Sequence, residues 1–203
     1  TCEFDVCVKA FANPTRALAC LDDIQIRLDD SCFATINADM ALSGGPYSCY
    51  DDYIVRVNDW ITNAVIDVLP NRKGIQIGRN QIGRSLKITI TDPVTGNSCW
   101  SHATVEDKIA PKMTCLPDLT VSCVANVSPA GTGTPSVYEN CGSYSLTYTD
   151  SETQGSCALG FDRIIVRKWV AIDDYNNRSE CIQKITVRLG DVFDVKVPLH
   201  YDG

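Results

Sequence analysis

The chain has no run of lysines or arginines, no apolar stretch near the ~20 residues that span a bilayer, and no Cys-x-x-Cys pair. Each absence excludes something. With no basic patch and a formal net charge of -7, the chain offers little to nucleic acid or to an anionic membrane, and no membrane insertion is expected. The close cysteine spacings, Cys2 to Cys7 and Cys115 to Cys123, do not form the tight knuckle of a structural zinc site. Only two histidines occur, His102 and His200, and neither sits beside a recognisable nucleophile turn. The chain is therefore expected not to be an enzyme. Its opening, Thr1-Cys2-Glu3-Phe4, lacks the basic and apolar regions of a signal peptide, so an export signal is expected to have been removed or to lie upstream.

Cysteine is abundant. Eleven in 203 residues is the density of a secreted or cell-surface protein, where disulfides supplement the core, whereas a reducing cytosol would keep these thiols free. An odd count leaves at least one thiol without a partner in the same chain. With 44% hydrophobic and 21% charged residues the composition is that of a globular chain of one or two domains.

Short β-branched runs with period two recur: Ile24, Ile26 and Leu28; Ile54, Val55 and Val57; Val65, Ile66 and Val68; Leu86, Ile88 and Ile90. Turn signals separate them, at Ser43-Gly44-Gly45-Pro46, 70–74 and 92–97. No long amphipathic helix is visible, only a turn around Asn58 to Asn63. The best break is Val105-Glu106-Asp107-Lys108-Ile109-Ala110-Pro111, where a strand ends in charges and a proline restarts the chain. Strands then resume at Leu119 to Cys123, Ser145 to Thr149, Ile164 to Ile172 and Cys181 to Leu189. This second unit, of roughly eighty residues, approaches the ~100 of an immunoglobulin-like sandwich. Phe4-Asp5-Val6-Cys7-Val8 and Phe193-Asp194-Val195-Lys196-Val197 share Phe-Asp-Val-x-Val, which in a true repeat would make the chain one period of a tandem array.

From Val105 to Leu189 the chain resembles the hyalin-repeat (HYR) type of immunoglobulin-like module. The residues that carry this are the lead-in Glu106 to Pro111, Cys115-Leu116-Pro117-Asp118-Leu119-Thr120-Val121-Ser122-Cys123, Glu139-Asn140-Cys141, Trp169 to Asn177, and Cys181 with its alternating strand. Leu18 to Val105 resembles a companion module found beside such repeats in very large bacterial surface proteins. Its matching features are Cys20-Leu21-Asp22-Asp23, Asp29-Asp30-Ser31-Cys32, Gly44 to Tyr53 and Thr91 to Trp100. Proteins of this type resemble adhesins or surface-filament components that use the type 9 secretion route, and no catalytic residues come with them.

Together these readings give an all-β fold of two tandem immunoglobulin-like β-sandwich domains stabilised by disulfides. The expected layout is an N-terminal strand over 1–17, modules over 18–105 and 106–190, and a C-terminal extension strand over 191–203. The resemblance implies Cys115 paired with Cys181, closing a loop worth about 4 kcal/mol, and Cys123 paired with Cys141. It also implies a third pair between the Cys157 position and a site occupied here by Tyr175, which orphans Cys157. Four cysteines of the first module allow three connectivities; Cys20 with Cys32 and Cys49 with Cys99 is the choice taken. Cys2, Cys7 and Cys157 are then unpaired or intermolecular candidates.

No cofactor is required by this reading. Oxygen-rich loops point to calcium, with Asp173, Asp174, Asn176, Glu106 and Asp107 as favoured ligands, although Asp and Asn also simply form turns. Trp100 and Trp169 are expected in core packing against disulfides, and Trp60, with Tyr50, is the exposed aromatic suited to a ligand. The expected function is a non-catalytic structural or adhesive segment of an extracellular, cell-surface protein or fibre. Its partners would be copies of itself or adjacent modules, joined through a terminal strand, Thr1 to Phe11 or Asp191 to Pro198, donated to a neighbour's sheet. The alternative is a module of a secreted multidomain protein that recognises surface glycans or proteins.

Overall fold

A computed structural model of the chain describes residues 15–66 and 74–190. It divides into two compact units, Thr1–Ile109 and Ala110–Gly203, with the division inside the Val105–Pro111 break. The fold is all-β, two immunoglobulin-like sandwich units with disulfides, and each unit holds one four-stranded and one two-stranded sheet.

In the first unit, β1 (Asp23–Arg27), β6 (Ser98–Glu106), β5 (Ser85–Thr91) and β3 (Ile54–Asp59) form the larger sheet in that order. β2 (Phe33–Ile36) and β4 (Ile75–Gly78) form the smaller one. The period-two pattern settles which faces are inside. Leu86, Ile88 and Ile90 of β5 are wholly buried, and so are Val57, Ile36 and Ile77 from β3, β2 and β4. Each such side chain contributes about 1.5–3 kcal/mol of burial. Strands β5 and β6 are joined by the 92–97 turn, where Asp92 accepts the N–H of Val94 at 2.8 Å and the backbone closes from Gly96 to Asp92. The N–H of Val94 holds the Asp92 carboxyl below the usual carboxylate range.

In the second unit, β10 (Tyr144–Ser156), β11 (Phe161–Asp173), β12 (Arg178–Arg188) and β8 (Leu119–Val121) form the larger sheet. β7 (Lys112–Thr114) pairs with β9 (Ser136–Tyr138). Single-turn helices α1 (Ala38–Ala41) and α2 (Pro129–Thr132) punctuate the two units. Ile165, Ile185 and Val187 form a core cluster against which Val121, Cys123 and Val127 pack.

The two larger sheets share a plan. In each, the first strand runs parallel to the last, and the last pairs antiparallel with the one before it. Asp23 faces His102 across β1 and β6, and the Cys20–Cys99 disulfide lies at the same sequence offset of 79. Leu119 faces Ile185 across β8 and β12, and Cys115–Cys181 lies at the same offset of 66. Each staple therefore extends the parallel register of a terminal strand pair, with Cα atoms 5.6 Å apart in both.

Several expectations change. The strand anticipated at Val65 and Ile66 is reduced to one bridge between Val65 and Asn58, because the chain turns tightly at 59–63. Strands β2, β4, β7 and β9, all of three or four residues, were too short for periodicity to mark. The choice of Cys20 with Cys32 and Cys49 with Cys99 is overturned by Cys20–Cys99. Cys20 precedes β1 and Cys32 follows it, so a five-residue strand of about 17 Å holds them apart. Cys32 and Cys141 are both disulfide-bonded, but Cys141 is not joined to Cys123, which packs at the end of β8 on the core cluster. Cys49 and Cys157 are exposed free thiols.

Tyr175 cannot stand where a partner of Cys157 would. Cys157 lies in the turn before β11 and Tyr175 in the turn after it, so 13 extended residues, roughly 40 Å, separate them. The anticipated terminal strands, the Phe-Asp-Val-x-Val pair, Cys2, Cys7, Val68 and His200 lie outside the described residues.

Candidate functional site: an aromatic cleft on the first unit

The site starts from strand register. On the larger sheet of the first unit, Lys87 of β5 faces His102 of β6, which faces Asp23 of β1, so three polar side chains cross the sheet in one row. Trp100, two residues before His102, points the same way. In β6, Ser101, Ala103 and Val105 are buried while Trp100 is 51% exposed. The expectation that Trp100 packs in the core is therefore corrected. The phase was readable: Cys99, Ala103 and Val105 share one parity, and Trp100, His102 and Thr104 the other.

Trp60 arrives from the end of β3. The Asp59 carboxylate accepts the N–H groups of Ile61 and Thr62 and the Thr62 hydroxyl, and the Asn58 side chain donates to the Asn63 carbonyl at 2.9 Å. Asn63 takes a left-handed φ of 58°, which asparagine tolerates better than most residues. The backbone N–H of Trp60 itself donates to Ser85 at 3.0 Å. Bonding to the Thr62 N–H holds the Asp59 carboxyl below its ordinary range. This turn fixes an indole that is 43% exposed.

The two indoles meet with ring centroids 5.6 Å apart and planes inclined at 50°. The His102 ring stands edge-on to Trp60 at 4.9 Å, and its Nδ1 lies 2.7 Å from the Asp23 carboxylate. Lys87 Nζ is 5.3 Å from the Trp100 ring centroid. Beside them opens a shallow cleft of about 750 Å³, lined also by Cys20, Cys99, Asp22, Asp23 and Ser98. The Asp23 carboxylate orients the imidazole.

Tyr50 is not part of this cleft. It lies in a short turn with Asp51 and Asp52 and lines a separate small recess with Tyr53 and Val55. The two aromatics expected to suit a ligand, Trp60 and Tyr50, therefore lie in different recesses of the first unit.

The anticipated calcium ligands fall in both units. In the first, Glu106 lies 3.5 Å from Lys108 Nζ, and Asp107, buried, accepts the N–H of Ile109. In the second, Asp173 accepts N–H groups from Tyr175 and Asn177 and the side-chain amide of Asn177, all at 2.8 Å, and Asp174 accepts the N–H of Ser143. Asn176 adopts φ 67° to complete that turn. Carboxylate oxygens of Glu139 and Asp173 approach within 4.8 Å, and Glu139 also takes the N–H of Cys141. Asp173 and Asp174 thus already bond the backbone of their own unit, the behaviour of turn-forming acids.

Trp169 differs from the other two tryptophans. It is 3% exposed, its ring centroid 5.1 Å from that of Tyr148, beside a buried Arg167. Arg167, 1% exposed, makes a two-pronged ion pair with Asp150 at 2.8 Å and donates to Thr132 Oγ1 and the Val127 carbonyl. Its guanidinium lies 4.7 Å from the Tyr148 ring, and the Asp150 bond raises its already high pKa. Four hydrogen bonds to Asp150, Thr132 and Val127 hold it there, as a structural pin.

No described helix is long and apolar enough to cross a membrane. No family model matches the chain, and no characterised protein matches it in sequence. Among solved structures it is similar to human mucin-like protocadherin EC1-2, with a TM-score of 0.31 and 9% identity over 88% of this chain and 99% of that one. It is also similar to Drosophila N-cadherin EC1-3, with a TM-score of 0.31 and 11% identity over 87% of this chain and 68% of that one. A three-immunoglobulin-domain titin fragment, I67-I69, gives a TM-score of 0.31 and 9% identity over 86% of this chain and 65% of that one. The fold class itself rests on the sheets and registers of the two units.

Proposed function

We propose that the chain is a non-catalytic structural and adhesive segment of an extracellular surface protein or fibre, of the hyalin-repeat-like kind exported by the type 9 route, whose partners are copies of itself or adjacent modules. The observation that carries this reading is the placement of the two staples. Tension along the chain enters a unit near its first strand and leaves after its last. In each unit those two strands lie side by side and a disulfide bridges them just upstream of their pairing. Force then passes through sulfur, and the residues between Cys20 and Cys99 and between Cys115 and Cys181 are shielded from it. Disulfides of this kind belong to oxidising compartments, which supports an extracellular setting. No cofactor enters the reading.

Two measurements test it. Pulling the oxidised chain from its ends should release none of the contour length enclosed by the staples, and reduction should add on the order of 20–30 nm per unit. For the adhesive-fibre part, the purified chain should associate end to end, and deleting Thr1 to Phe11 or Asp191 to Pro198 should leave folded monomers. A chain that stays monomeric at high concentration with both termini intact defeats the fibre reading.

A further inference from the structure

We propose that the Trp60–Trp100 cleft of the first unit is a binding site for neutral carbohydrate, taking a pyranose ring against the two indoles. This goes beyond the force-bearing role and does not depend on it, since a stapled scaffold can bind a sugar whether or not it assembles.

The first argument is cost. Two indoles that are 43% and 51% exposed and in mutual contact leave more apolar surface in water than one isolated side chain, and large apolar groups gathered at a cleft mark binding surfaces. Trp100 lies on the outward parity of β6, so its exposure is built into the strand and not a local accident. Trp60 is fixed beside it by the Asp59 turn, whose carboxylate takes three hydrogen bonds. The platform is therefore rigid before any ligand arrives, which lowers the ordering cost of binding.

The second argument is chemistry. Indole faces carry negative electron density and attract polarised C–H groups or cations. What surrounds these faces chooses between the two. Lys87 Nζ already lies over Trp100 at 5.3 Å and would repel a cationic ligand, while Asp22 and Asp23 on the rim would repel an anionic one. A neutral sugar meets neither penalty. Its axial C–H groups cover an indole, and its hydroxyls, each both donor and acceptor, match a lining that mixes the Asp22 and Asp23 carboxylate acceptors with the Ser98 hydroxyl and the His102 ring. The Asp23 bond at 2.7 Å holds the imidazole in place beside Trp60.

The test applies the full chain to an array of neutral, sialylated and sulfated oligosaccharides, followed by calorimetric titration of the best neutral glycan and of choline chloride. Light scattering on the same samples records assembly, so a lost sugar site and a failed fibre are told apart. Neutral glycans should bind in the oxidised chain. Trp60→Ala and Trp100→Ala should each weaken binding by roughly tenfold or more, and Asp23→Asn by a few-fold, with unchanged thermal melting. Tyr50→Ala, outside the cleft, should bind as the parent does. The proposal is overturned by preference for sulfated or sialylated glycans, by tighter binding of choline, by binding that survives Trp60→Ala, or by no neutral glycan binding at about 1 mM.

Discussion

The two units are built on one sheet plan and differ in what they put inside it. Both pair a first strand in parallel with the last and close that pair with a disulfide in register. The first unit buries aliphatics, Ile26, Ile36, Ile77, Leu86, Ile88 and Ile90, and holds its tryptophans on the surface. The second buries Trp169 together with Arg167 and Gln183, and leaves aliphatic Val166 and Ile182 exposed on the opposite face of the same sheet. An apolar interior needs only area; each polar group taken inside needs a partner, and here the Trp169 indole N–H and the Gln183 amide oxygen find none among the described residues. Arg167 is met by Asp150, Thr132 and Val127, and the Gln183 amide reaches the Pro117 and Thr132 carbonyls at 3.3 Å. One architecture therefore tolerates both solutions, and frees the outer face of the first unit to carry a cleft.

The contrast can be broken most directly at the tryptophans. Trp169→Ala should cost about 3–5 kcal/mol in chemical denaturation, and Trp100→Ala less than about 1 kcal/mol. Comparable losses would show that Trp100 is packed after all. The common plan is tested by the staples. Replacing Cys20 and Cys99 with serine, or Cys115 and Cys181, should each remove about 4 kcal/mol, because loops separated by 79 and 66 residues restrict the unfolded chain almost equally. One staple costing far less than the other would mean that the two terminal pairs are not equivalent.

The polar pin comes next. Arg167→Ala should destabilise by about 2–4 kcal/mol, since it strands Asp150 and opens space against Tyr148 and Trp169. Arg167→Met should recover much of the loss. Acid should then act on both units, because Glu180 of the second, bonded to Lys168, is also held below its ordinary range. The folded-state pKa values of Asp59 and Asp92 are lowered, so the stability they contribute is present above about pH 4 and is lost as pH falls through the lowered values. Tryptophan fluorescence from the Trp60 turn should therefore change below about pH 4, and Asp59→Asn should abolish that step. Smallest of all should be calcium: adding a chelator is expected to shift melting by less than about 2 °C, because the Asp173 oxygens already hold N–H groups. A larger shift would make calcium part of the fold.

Much of the architecture was legible from alternation. Leu86, Ile88 and Ile90 mark β5 without help, and the Val105–Pro111 break holds the division between units. In β6 the parity of Trp100 with His102 and Thr104 was present and was outweighed by the nearby cysteine. In β11 parity misleads, for Ile164, Val166, Val170 and Ile172 form the more apolar set, yet Arg167, Trp169, Ala171 and Asp173 are the buried one. Only the partners on neighbouring strands, Asp150 and Gln183, and Thr132 of α2 make that choice favourable. Half of the cleft was legible too. Trp60 stood out as an aromatic in a turn, but its neighbours Trp100, His102 and Asp23 come from strands 40 or more positions away or on the other side of the sheet order.

The sequence by itself determined the strand class, the break between the units and the presence of disulfides, because period-two burial and cysteine density act locally or in bulk. Tertiary structure alone decided which cysteines meet and which aromatics share a cleft. Cys20 reaches Cys99 because β1 docks parallel to β6 at an offset of 79, and a parallel register between distant segments leaves no short-range trace. The same docking carries Asp23 to His102 and places the aromatic cleft beside the staple.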